Sequence, residues 1–160
     1  MQADITLRPI SESDQEFLYR CYASTRIEEL ALVPWSDADK EAFLRMQFRA
    51  QTEHYSKHYS MAEFQVIQVD GRPAGRLYVA RWEKEIRIVD ITLLPAFRGR
   101  GVGSHLLNVL ITESEQAKKP LSIHVEKNNP AMRLYVRLGF KTVGDVGVYD
   151  LMQRPAVAEE

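Results

Sequence analysis

Apolar and polar residues alternate over residues 5–10, the period of a strand with one buried face, and helical spacing follows. Ser13 with Glu16 has the spacing of a capping box and predicts a helix that turns Phe17, Leu18 and Cys21 inward. Pro34-Trp35 interrupts the chain, and Ser36 with Asp39 caps a second helix with Phe43, Met46 and Ala50 on one face. Three strands are predicted next: 64–69, ending at the Asp70-Gly71 turn, then 75–80, then 85–94. The third becomes almost continuously apolar, which marks a central strand covered on both faces. Pro95 stops it. A glycine-rich turn leads into a helix with Val102, Leu106 and Leu110 in one row and Gly103, Leu107 and Ile111 beside them. Residues 121–125 form a short strand. Asn129 as N-cap and Pro130 at the first helical position open a last helix with Leu134 and Leu138 as its stripe. Gly139 sits at C′ with Phe140 as its apolar contact, and residues 146–152 close the sheet. The order β-α-α-β-β-β-α-β-α-β-β is an α/β (α+β) sandwich on one mixed sheet.

The glycine-rich turn, Arg98-Gly-Arg-Gly-Val-Gly-Ser104, stands between a buried strand and a helix. Backbone N–H groups at a helix N-terminus, reinforced by the helix dipole, suit a phosphate or pyrophosphate, and Arg98 and Arg100 add positive charge. An ordinary tight turn using glycine for positive φ gives the same spacing, so the glycines alone leave both readings open. Two other phosphate binders fail. A P-loop needs Gly-Lys followed by Ser or Thr, and the turn has no Lys. The dinucleotide fingerprint needs a further glycine where Ser104 or Leu106 stands.

Composition narrows the partners. The 160 residues are about one domain's length, and residues 1–154 are read as a single domain with 155–160 as a flexible tail. The 21 Lys and Arg against 22 Asp and Glu give a net charge of −1, which speaks against nucleic acid as a main partner. The N-terminus has no basic stretch followed by an apolar one, and no run approaches the about 18 apolar residues of a membrane helix. A cytoplasmic location with no membrane partner is therefore expected. The lone Cys21 lies on a helical core stripe and reads as a small buried hydrophobe rather than a nucleophile. His54 and His58 share a helix face without an evident third ligand, so no metal is expected.

A second segment decides the reading. Residues 95–103, with Arg98, Gly101 and Gly103, match the Arg/Gln-x-x-Gly-x-Gly/Ala signature of the GCN5-related N-acetyltransferases (GNAT). Asn128-Asn129-Pro-Ala131-Met-Arg-Leu134-Tyr135-Val-Arg-Leu-Gly139-Phe140 resembles that family's second motif. The two stand about 30 residues apart in the family's order. The element order also resembles that fold, so the likeness covers nearly the whole chain. It implies a single mixed sheet of about seven strands flanked by four helices and splayed between the fourth and fifth strands.

The resemblance implies acetyl-CoA as co-substrate, no metal, and an amine acceptor, either a small molecule or a peptide; it leaves room for a homodimer. Arg98, Gly99, Arg100, Gly101, Val102, Gly103 and Ser104 would offer backbone N–H groups to the pyrophosphate of coenzyme A. Leu93 and Leu94 would supply backbone groups to the pantetheine arm, one N–H polarising the thioester carbonyl. Asn128 or Asn129 would hold the pantetheine: Asn128 has the family spacing, and Asn129 is the better helix cap. Tyr135 occupies the general-acid position, where a phenol protonates the departing thiolate. Asp90, the only acid within the apolar run 86–94, is the candidate base, with Glu126 and His124 as alternatives. Glu28, Glu29, Trp35, Tyr149 and Tyr78 fall in regions that contact the acceptor in such proteins. Without a competent base, the alternative is a non-catalytic module that binds acyl-CoA.

Overall fold

The computed structural model describes residues 3–156. The strands are β1 (Ile5–Pro9), β2 (Glu63–Val69), β3 (Arg72–Arg81), β4 (Ile86–Leu93), β5 (Leu121–Glu126), β6 (Lys141–Val146) and β7 (Tyr149–Arg154). The helices are α1 (Gln15–Ser24), α2 (Ile27–Ala31), α3 (Asp37–His58), α4 (Val102–Ala117) and α5 (Met132–Arg137). One seven-stranded sheet runs in the order β1-β2-β3-β4-β5-β7-β6, antiparallel except for the β4–β5 pair. That mixed sheet is the one expected; α2 makes five α-helices among the described residues where four were predicted. The tail expected to be flexible lies, from residue 157 on, outside the described residues. Among the described residues no helix is long and apolar enough to cross a membrane.

Two apolar layers sandwich the sheet. On one face Val102, Leu106, Leu107, Leu110 and Ile111 of α4 pack with Tyr135 and Phe140 over the buried residues of β3, β4 and β5. That is the helical row read from the sequence. On the other face α1 supplies Phe17, Leu18, Tyr19, Cys21 and Tyr22, and α3 supplies Leu44 and Phe48. The α3 face differs from expectation: Met46 is 51% exposed and Ala50 is exposed, so the buried stripe runs through Leu44 and Phe48 toward Tyr55. The Ser36 cap does form, with its hydroxyl accepting from the Asp39 N–H at 3.1 Å. The first helix is instead entered through Ser11, whose N–H donates to the Asp14 carboxylate at 2.8 Å, and Glu16 pairs outward with Arg45. Residues 146–152 are not one strand. Gly147, at φ +67°, turns the chain between β6 and β7.

Three features of β4 shape the site. It pairs with β5 only from Ile86–Ile88 to Leu121–Ile123, and beyond that point the two strands run on unpaired. The ladder to β3 slips between Tyr78 and Val79, which leaves an extra β4 residue at Val89, a bulge that bends the strand. Gly75 of β3 lies where the strands come closest: a Cβ there would stand 2.0 Å from the Thr92 carbonyl oxygen, so only glycine fits.

Candidate active site

A short 3-10 turn at Pro95–Phe97 ends β4, and the chain then swings through Gly99 (φ +73°) and Gly101 (φ +79°) into α4. A Cβ at either glycine would meet nothing within 4 Å, so positive φ rather than crowding demands glycine at both. The His105 N–H closes the first helical bond on the Gly101 carbonyl at 3.0 Å. Among the described residues nothing accepts from the N–H groups of Gly99, Arg100, Gly101, Val102, Gly103 and Ser104, and the first turn of α4 contains no acid. Six free donors thus follow one another at the positive end of a 16-residue helix.

Arg98 stands apart from that group. Its N–H donates to the Pro95 carbonyl at 3.2 Å, and its side chain donates to the Leu93 carbonyl (2.9 Å) and the Ser24 hydroxyl (3.3 Å). It braces the end of α1 against the end of β4. The Arg100 guanidinium lies 5.6 Å from the Phe97 ring centroid, a cation–π distance.

Backbone parity decides which β4 groups face the opening between β4 and β5. The Leu94 N–H donates to the Ala74 carbonyl of β3 at 2.8 Å, and its own carbonyl accepts from the Phe97 N–H at 2.9 Å. Leu94 therefore has no backbone group to offer the gap. Alternation along the strand turns the Ile91 and Leu93 N–H groups the other way, toward the opening.

A cleft of about 400 Å³ fills the splay. Tyr135, Asp90, Glu126, His124, Asn129 and Tyr149 all line it, whereas Asn128 is exposed outside it. Asn129 carries out the expected cap, its side-chain oxygen accepting from the Ala131 N–H at 2.9 Å, although the regular helix starts only at Met132.

The end of α5 fixes Tyr135. The Phe140 N–H returns to the Tyr135 carbonyl and the Gly139 N–H to the Val136 carbonyl, both at 3.0 Å, with Gly139 at φ +101°. This pair of bonds is a Schellman closure, and the Phe140 ring meets the Tyr135 ring edge-on at 5.7 Å as its apolar contact. The Tyr135 hydroxyl has no hydrogen-bond partner among the described residues. Burial, followed by the nearby Asp90 charge, pushes its pKa up to about 12. It is a neutral phenol that keeps its proton at neutral pH.

Asp90 is fully engaged. It accepts from Arg76 at 2.8 Å, from the Tyr55 hydroxyl at 3.1 Å and from the Thr92 hydroxyl at 2.7 Å. Arg76 is 2% exposed and also donates to Gln51 of α3 at 2.8 Å. Burial works against its charge, but Asp90 and the surrounding phenols more than compensate, and the Arg76 pKa ends up raised. The Asp90 carboxylate is the counter-charge of that guanidinium, and removing the side chain would leave a buried unpaired charge at a cost of about 3–5 kcal/mol. Asp90 is thus built as an anchor between β4 and α3. Glu126 is ion-paired with Arg26 at 2.9 Å. The His124 pKa is lowered, by partial burial and then by Arg87, whose guanidinium lies 3.4 Å from Nδ1. Arginine can only donate, so Nδ1 accepts and the imidazole proton sits on Nε2.

The remaining expected residues divide. Of Glu28, Glu29, Trp35, Tyr78 and Tyr149, the cleft contains Tyr149 alone. Trp35 packs edge-on against Phe43, and Tyr78 is buried beneath α3 against Tyr55. Cys21 is fully buried, and burial raises its thiol pKa to about 11. His54 and His58 lie with ring centroids 4.4 Å apart, and among the described residues no group of three His, Cys, Asp or Glu could hold a metal. His54, read from the sequence with His58 as a solvated or pocket-rim pair, does line the cleft; the sequence reading missed Tyr22, Arg26, Tyr55 and Tyr59, which complete its helical wall. Tyr55 was accessible through its spacing: it continues the Leu44–Phe48 row once α3 is phased correctly.

Solved structures reproduce this fold along 94–99% of the chain. The PaiA N-acetyltransferase from Thermoplasma acidophilum, in complex with coenzyme A, superposes with a TM-score of 0.70 at 18% identity, over 95% of this chain and 99% of its own. A histone acetyltransferase HPA2 and related acetyltransferase from Corynebacterium glutamicum gives 0.66 at 21% identity, over 99% of both chains. An acetyltransferase from Thermus thermophilus gives 0.65 at 20% identity, over 94% of this chain and 96% of its own. No curated protein matches the sequence. The family model for the acetyltransferase (GNAT) family matches residues 19–140, the span from α1 through the glycine turn to Phe140, and the chain belongs to that family of acetyltransferases.

Proposed function

We propose that the protein transfers an acetyl group from acetyl-CoA to a primary amine, of a small molecule or a peptide, by direct attack in a ternary complex. One observation carries the proposal: six unsatisfied N–H donors at the start of α4 follow the end of β4, the strand that parts from β5 after Ile88. Gly99 through Ser104 would hold the pyrophosphate, with Arg100 adding charge and Arg98 bracing the turn. Leu93 would turn its N–H to the thioester carbonyl, where negative charge develops as the amine attacks. Asn129, already facing the cleft, is the better placed of the two asparagines to meet the pantetheine arm.

As the C–S bond breaks, Tyr135 gives its proton to the departing sulfur and regains one from solvent. The amine attacks as the free base, its extra proton having gone to water, and the nitrogen sheds a second proton to water as the amide forms. Asp90 contributes by holding α3 and the bulge of β4 together rather than by taking that proton. A non-catalytic acyl-CoA-binding role is the second reading, and it rests on the same commitment of Asp90 to Arg76.

Coenzyme A at about 100 times its dissociation constant should add about 2.7 kcal/mol of stability, a melting shift of about 5–10 °C for a chain this size. Differential scanning fluorimetry with acetyl-CoA, NAD and ATP tests this. The shift is expected with acetyl-CoA alone. No shift at millimolar acetyl-CoA would remove the cofactor assignment.

A further inference from the structure

The geometry points to Tyr55 as the residue that positions the acceptor amine, a role that rests on the acyl transfer proposed above. Tyr55 lies on α3, faces the cleft, and donates its hydroxyl proton to Asp90 Oδ2 at 3.1 Å. With that proton committed, the phenol oxygen has lone pairs left over, and no described group donates to it. An N–H of a primary amine is the complementary partner.

Asp90 is what makes this direction permanent. Its carboxylate is fixed from both sides, by Arg76 on Oδ2 and by Thr92 on Oδ1, so the Tyr55 O–H has one strong acceptor. The ring is also fixed. It meets Tyr78 edge-on at 5.8 Å and Tyr59 at 6.2 Å, and Tyr59 in turn stacks on Trp82 at 6.0 Å. Burial and the Asp90 charge raise the Tyr55 pKa, so the phenol stays neutral and offers a lone pair rather than a phenolate that would trap a cationic amine. Asp90 also acts on the Tyr135 phenol, which places the two tyrosines around one carboxylate in the same cleft: Tyr135 on the α5 side, Tyr55 on the α3 side. An amine hydrogen-bonded to Tyr55 would stand between the helical wall and the gap where the thioester is held.

The deeper consequence concerns Asp90. Its position in the apolar run looked like that of a base, but here it acts through Tyr55 and never meets the amine. Tyr55→Phe tests this, since it deletes the oxygen and keeps the ring with its aromatic contacts. With one neutral hydrogen bond to the amine lost, the amine KM should rise about 3–10-fold. The acetyl-CoA KM should stay within about twofold, because Tyr55 touches nothing on that side. Steady-state kinetics with both substrates varied, plus a melting curve, reads all three quantities. An unchanged amine KM overturns the proposal. So does a parallel rise in both KM values with a fall in melting temperature, which would mark a structural hydroxyl. Wild-type protein that turns over no amine would instead contradict the acyl transfer itself, whatever Tyr55→Phe does.

Discussion

Tyr135→Phe should lower turnover of an accepted amine by about 10²–10⁴-fold, or about 2.7–5.4 kcal/mol of barrier, while coenzyme A affinity and melting temperature change little. The ring and its edge-on contact with Phe140 remain, and the Schellman bonds that fix α5 use backbone groups alone. Only the hydroxyl goes, and no described residue depends on it for a hydrogen bond. A structural role therefore predicts almost no effect. The raised pKa keeps the phenol protonated at neutral pH, so the proton is in place; since a thiol's ordinary pKa is about 8.5, its transfer to sulfur is uphill and must accompany C–S cleavage. A loss under about tenfold would mean that the sulfur takes its proton from water. Kinetics at saturating acetyl-CoA, with one melting curve, separates these outcomes.

Gly101→Val should weaken coenzyme A binding by at least about 100-fold, the loss expected when two or more charge-assisted hydrogen bonds are misaligned. At φ +79° a β-branched residue is strained, and relief of that strain would reorient the N–H groups of Val102, Gly103 and Ser104 that begin α4. Stability should fall by only about 1–2 kcal/mol, since the position faces open space and touches no core residue. Calorimetric titration of the folded variant with coenzyme A measures the difference. Unchanged affinity would mean that the phosphate sits elsewhere.

The glycine turn was legible because its requirements are local. Positive φ at Gly99 and Gly101 and the helix start at Val102 follow from the order of residues within one short segment. The Gly139–Phe140 closure was legible for the same reason. Apolar periodicity likewise gave α4 and the order of the strands. What escaped was set by contacts distant in sequence. Asp90 looked like a lone acid in an apolar strand because its partners, Arg76 on β3 and Tyr55 on α3, are 14 and 35 residues away. Leu94 looked equal to Leu93 until the ladder to β3 showed that Ala74 takes its N–H. The α3 stripe was misphased by one or two residues, because the helix is polar over most of its surface and buries only Leu44 and Phe48 fully. That single error hid Tyr55, and with it the helical wall of the cleft. Gly75 gave no signal at all, since its role depends on the close approach of a neighbouring strand.

The most direct test of the account is release of the coenzyme A thiol from acetyl-CoA by the wild-type protein, followed across polyamines, amino acids, aminoglycosides and peptide N-termini. The account predicts that at least one amine drives thiol release at a rate that rises with its concentration and then saturates. N-acetylated product, identified by mass, should form in equal amount. A protein that binds acetyl-CoA tightly, yet releases no thiol above background with any amine in the panel, would contradict acyl transfer and leave the chain an acyl-CoA-binding module.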